Sequence, residues 1–83
     1  MRGAAMRALV ADFIAGTGPG DLAALADEML EDPRCHMVLL GGDESGPMLV
    51  TVWDEEAVAE VAESLAALEA RVRVLVITDP RRA

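Results

Sequence analysis

Residues 35–53, CHMVLLGGDESGPMLVTVW, hold two runs of strand-forming residues around a connection rich in glycine, proline and polar residues. This reads as a hairpin of two antiparallel strands, 35–40 and 48–53, with GGDESGP as the turn. The hairpin limits the fold because of what flanks it. On each side stands a helical pattern, DLAALADEMLE at 21–31 and DEEAVAEVAESLAALEA at 54–70. Beyond each helix lies a further strand pattern, RALVADFIA at 7–15 and RVRVLVIT at 71–78. The order is β-α-β-β-α-β. That is the split βαβ, ferredoxin-like pattern: an α+β fold with a four-stranded antiparallel sheet and both helices on one face.

The helix boundaries have local causes. Asp21 and Asp54 are expected N-caps, because a carboxylate there can accept the free N–H groups of the first turn. Pro33 ends the first helix, since the residue before a proline is pushed out of the α region. Leu22, Leu25, Ala26, Met29 and Leu30 form one apolar stripe, and Val58, Val61, Ala62, Leu65 and Leu68 the other. The 83 residues make one domain, 1–83, with no repeat or linker.

The connection GTGPGD at 16–21 resembles a phosphate loop at first sight. Its glycines are spaced G-x-G-x-G, and Asp21 holds the place of the third glycine of the dinucleotide motif. A carboxylate there competes for the positive helix end that would hold a phosphate. The chain has no lysine for a P-loop, and a hairpin follows the helix where a parallel unit is needed. The connection reads as a plain link that borders a pocket at most.

Charge and composition narrow the function classes. A formal net charge of −8 disfavours nucleic acid and anionic membrane surfaces. No apolar stretch approaches the roughly 20 residues of a membrane span, and MRGAAMRALVADF does not read as a signal peptide. A cytoplasmic location is the expectation. One cysteine, Cys35, forms no internal disulfide, and one histidine without clustered partners supports no metal site. No cofactor is expected.

Alternation sorts the strands into two faces. One set, Leu9, Ala11, Phe13, Cys35, Met37, Leu39, Met48, Val50, Val52, Val72, Val74 and Val76, is wholly apolar and is expected under the helices. Cys35 is then a buried, inert thiol. The other set holds Val10, Asp12, Ile14, His36, Val38, Leu40, Leu49, Thr51, Trp53, Arg73, Leu75 and Ile77. A solvated face should be mostly polar, and this one is mostly apolar. Burying such side chains is worth about 1.5–3 kcal/mol each. The expected cover is a second copy, sheet against sheet, in a homodimer or a multiple of it.

The candidate site residues fall on that second face. His36 is a candidate general base, with an ordinary pKa suited to proton transfer near neutrality. Trp53 and Thr51 are candidate ligand contacts, the indole by stacking. Asp12 and Arg73 are expected cross-strand neighbours, either an ion pair that fixes dimer register or an arginine that holds an anionic ligand.

The stretch EDPRCHMVLL, followed by GPMLVTVWDEEAVAEVAESL, resembles the antibiotic biosynthesis monooxygenase-like group of the dimeric α/β-barrel superfamily. The matching residues are Asp32-Pro33-Arg34-Cys35 and Leu49 to Ala57, with Trp53 the most distinctive. The resemblance implies a homodimer whose sheets form a barrel, with a pocket between sheet and helices in each protomer. Some members of the group are cofactor-independent oxygenases of polycyclic phenols, and others degrade haem. This chain departs from them in carrying Leu49 where an asparagine is frequent, and in having no histidine on the second helix. Two functions stay open: binding or oxidation of a planar apolar molecule beside Trp53, with His36 moving a proton, or a non-catalytic, ACT-like module that binds a ligand or a partner protein.

Overall fold

The computed structural model describes residues 6–14 and 18–77. The elements are β1 (Met6–Asp12), α1 (Pro19–Leu30), β2 (Cys35–Asp43), β3 (Gly46–Asp54), a 3-10 turn (Glu55–Ala57), α2 (Val58–Ala66) and β4 (Arg71–Val76). The sheet order is β2-β3-β1-β4, with all neighbours antiparallel. This small α+β architecture is consistent with a ferredoxin-like fold. Residues 15–17, which carry most of the first glycine-rich connection, lie outside the described residues, as do 78–83 with Arg81 and Arg82.

Several element ends differ from expectation. The hairpin strands run to Asp43 and from Gly46, leaving Glu44-Ser45 as the turn. Gly46 adopts a φ of 132°, open to glycine. A side chain at Gly42 would sit 2.8 Å from the Gly46 carbonyl oxygen, so the close strand approach needs glycine there as well. Helix α1 starts earlier than expected, with Gly18 as N-cap and the proline that follows in its first turn. Asp21 is therefore inside the first turn and not the cap. Asp54 does hold the cap position before the 3-10 turn, but its carboxylate makes no capping bond. It is bound by His36 instead.

The face assignment needs a larger correction. Leu9 pairs with Thr51, Ala11 with Leu49, and Arg7 with Trp53. Directly opposed residues share a face, so Leu49, Thr51 and Trp53 stand with Leu9, Ala11 and Phe13 under the helices. Met48, Val50 and Val52 are on the open face. In β2 the register shifts between Cys35 and Met37, with His36 as the extra residue. Cys35 therefore faces the helices, while Val38 and Leu40 follow it and Met37 and Leu39 do not. A bulge reverses parity for everything beyond it, and simple alternation cannot see one.

The core confirms the corrected faces. Leu9, Ala11, Phe13, Leu49 and Trp53 from the sheet pack with Leu22 and Met29 of α1 and Val61 and Leu65 of α2. The two largest side chains of β3, Trp53 and Leu49, take the deepest positions, which removes more apolar area from water than Val50 and Val52 would. The open face still carries Ala8, Val10, Met37, Leu39, Met48, Val50, Val52 and Leu75, with Asp12, Arg71 and Arg73 at one end. Met37, Leu39 and Leu75 are each about half exposed. So the apolar second face exists, though with a different membership. No helix among the described residues is long and apolar enough to cross a membrane.

Candidate functional site

The sheet brings the expected site residues together in three separate places. Trp53 and Thr51 are one pair, two residues apart on the helix side of β3. Trp53 is 2% exposed and Thr51 fully buried. The Trp53 indole Nε1 and the Thr51 hydroxyl Oγ1 are both buried with no hydrogen-bond partner. Buried polar groups are nearly always paired, so two unpaired atoms on one strand face need an explanation.

Above Trp53 lies a cleft between the helices, which Thr51 does not line. Trp53 lines a cavity of about 250 Å³ together with Leu25, Glu28 and Met29 of α1 and Val61 and Ser64 of α2. A second cavity of about 440 Å³ continues from Leu25 and Glu28 toward Phe13, Asp21, Leu22, Leu68 and Glu69. The floor is apolar because β1 and β3 present Phe13 and Trp53 there. The rim is acidic because α1 places Asp21 and Glu28 there, with Asp32 and Glu69 from the segments that follow the two helices. Glu69, just past α2, has a φ of 65° and is the one non-glycine residue with positive φ among the described residues.

Asp12 and Arg73 form the second place, on the open face. Asp12 stands opposite Arg71 in register, yet its carboxylate reaches Arg73 at 3.6 Å. Both residues line a cavity of about 550 Å³ at the hairpin end, with Asp43, Ser45, Met48 and Arg71. They are cross-strand neighbours as expected, with side chains on the side of the sheet away from Trp53, but their cavity shares Phe13, Ile14 and Glu69 with the larger helix-side one.

His36 is the third. Its Nε2 lies 2.7 Å from Asp54 Oδ1, on a half-exposed surface. It was expected on the face of Trp53. At the bulge it instead meets Asp54, the residue after Trp53, and it lines none of the three cavities. A histidine–carboxylate pair can hold an imidazole in one orientation, so His36 is not isolated.

Close to it, Arg34 binds Asp32 through its backbone N–H at 2.9 Å and its guanidinium at 2.8 and 3.0 Å, and reaches Glu60 on α2 at 3.2 Å. The hydrogen bonds from the Arg34 side chain, then that from its backbone, hold the Asp32 carboxyl down at about 2. The same contacts raise the Arg34 guanidinium. Cys35 is half-buried, and burial pushes its thiol up, which keeps it protonated. Among the described residues no group of three or more His, Cys, Asp or Glu side chains could hold a metal.

The cleft residues Leu25, Glu28, Leu68 and Glu69 were not apparent as a site from sequence. Two signals existed. Leu25 and Glu28 are three apart on α1, so an apolar and an acidic side chain share one helix edge. Glu69 stands just after a helix end, where glycine is common.

Compared with known proteins, the chain matches no family model, no curated protein and no solved structure.

Proposed function

We propose that this chain is a homodimeric small-molecule-binding protein. Two copies lie sheet against sheet, and each holds an apolar ligand with a hydrogen-bonding group in the cleft between its helices and its sheet. The observation that carries this reading is Trp53, which lines that cleft and whose buried Nε1 has no hydrogen-bond partner. Leaving such a group unpaired costs about 1–3 kcal/mol. A ligand with an acceptor for the indole N–H explains why it is kept. The combined cleft is also within the usual size of a small-molecule site, roughly 300–1,000 Å³.

The dimer half rests on the open face. Its apolar residues form a continuous patch of the kind monomers rarely leave in water. Its charges are Asp12, Arg71 and Arg73, so it escapes the acidity that makes the rest of this chain repel its own copy. A domain of this size also gains from association, since alone it buries only about 60% of its unfolded surface. This is the pairing that the resemblance to the monooxygenase-like group implies.

Native mass spectrometry of protein purified without denaturant tests both halves together. The expected result is twice the 8.8 kDa chain mass, with a retained small molecule or saturable uptake of an added one. A monomer that takes up nothing would refute the proposal.

The 2.7 Å contact of His36 with Asp54 favours a second reading, in which a phenol-like substrate lies against the surface at His36, outside the cleft, His36 takes its phenolic proton, and dioxygen is the oxidant. In that case His36→Ala abolishes turnover of a substrate whose binding it leaves intact. Under the binding-only reading, His36→Ala changes neither ligand affinity nor the ligand's fate.

A further inference from the structure

We propose that the outer edge of β4 takes up an extended acidic segment of a partner protein, which adds to the sheet as a further strand. The sheet order β2-β3-β1-β4 leaves β4 at one side, bonded to β1 alone. No other backbone hydrogen bond among the described residues reaches 71–76. The outward N–H and C=O groups of this strand are therefore open to another strand. They point sideways in the plane of the sheet, not toward a copy lying over the open face. Such an addition requires neither the cleft nor its ligand.

Sheets blunt an exposed edge with a bulge, a proline or charged side chains. The opposite edge strand, β2, has its bulge at His36. β4, RVRVLV, pairs with β1 residue for residue, without a bulge or a proline. Its Val74, Leu75 and Val76 stand 50, 48 and 61% exposed in succession. Its charges are Arg71 and Arg73, and these decide what the edge admits. β4 is the one strand with basic side chains and no acidic one. A second β4 would set four arginines along one seam, between two bodies that each carry −8. An acidic strand meets attraction at the same place. Register with β1 puts Val72, Val74 and Val76 on the helix side and Arg71 and Arg73 on the open side. Residues of an added strand stand opposite these, face for face. The strand that fits therefore alternates apolar residues, beside the valines, with carboxylates, beside the arginines. Both arginines are available. Arg71 has no ion pair or side-chain hydrogen bond among the described residues, and Arg73 holds Asp12 only at 3.6 Å, on an exposed surface. Asp12 stands on β1, the inner side of β4, and Glu69 precedes the strand by two residues, so neither lies along the outer edge.

The probe is the peptide SVEVEVS, blocked at both ends, against its basic twin SVKVKVS. Each is titrated into the isotope-labelled chain in about 0.15 M salt, where distant charges are screened beyond about 8 Å. The acidic peptide should bind at least about tenfold tighter, because two exposed ion pairs replace two repulsions. At saturation, exchange of the outward amides of 71–76 should slow, while that of β2 should not change. The preference should vanish in Arg71→Gln/Arg73→Gln. A control variant, Ala23→Glu/Ala59→Glu, makes the same change in net charge at exposed helix positions and should keep it. Equal binding of the two peptides, or equal loss of the preference in the control, overturns the acidic partner. Binding that leaves the 71–76 amides unprotected overturns the strand addition. Protection already present without peptide, growing with protein concentration, assigns the edge to a second copy and overturns the proposal. So does the failure of both peptides to bind.

Discussion

Leu9 stands directly opposite Thr51 in the sheet, and this pairing decides which side of β3 the helices cover. It puts Thr51 and Trp53 into the core beside Leu9, and it leaves Val50 and Val52 for the open face. The indole that lines the cleft is there because of this register.

Thr51→Val removes a buried hydroxyl without a partner and keeps the shape of the side chain. The folded apo protein should become more stable by about 1 kcal/mol, measured by urea denaturation. A loss of apo stability would mean that the hydroxyl is satisfied in the folded protein.

Glu69→Gly should also stabilise the fold, by about 1 kcal/mol, because a non-glycine residue at this φ is strained. Glu69→Ala should not, since alanine has the same Cβ.

The Asp32 carboxyl gives a pH dependence with a definite sign. Its folded value, about 2, lies below the ordinary 3.8 because Arg34 hydrogen-bonds the charged form. The unfolded chain thus takes up the proton at higher pH than the folded one. The stabilisation it contributes is complete above about pH 4 and is lost as pH falls toward 2. Asp32→Asn should flatten that part of the stability curve, and a carbon-detected NMR titration should place the Asp32 midpoint near 2.

Leu39 is among the most exposed residues of the open face. Leu39→Glu adds a charge where a monomer would scarcely notice it. In the sheet-to-sheet dimer it buries an unpaired carboxylate, so the expected outcome is a folded monomer by light scattering, with unchanged far-UV circular dichroism. A variant that stays dimeric would place the contact elsewhere.

The element order was readable because each segment keeps its own period: Leu22, Leu25 and Met29 recur at helical spacing, and Leu9, Ala11 and Phe13 at strand spacing. The presence of a second apolar face was readable for the same reason. Its membership was not. Leu49, Thr51 and Trp53 alternate with Met48, Val50 and Val52, and both sets are apolar enough to face a core. Only pairing with β1 separates them, and pairing is a non-local property. The bulge at His36 inverts parity along the rest of β2, which turned Met37 and Leu39 outward. Asp12 with Arg73 was legible because opposite charges on one face of adjacent strands tend to meet. The cleft was not, since it exists between α1 and α2, and no single segment carries it.

The central claim is that a ligand in the cleft accepts a hydrogen bond from the Trp53 indole. Trp53 is the only tryptophan, so its indole N–H gives a single resonance in a nitrogen–proton correlation spectrum. The measurement is a titration of labelled protein with decanol, whose hydroxyl oxygen can accept from the indole N–H, while that resonance is followed. The account predicts a saturable shift of the indole peak. An indole peak that stays in place while other resonances report binding would contradict it.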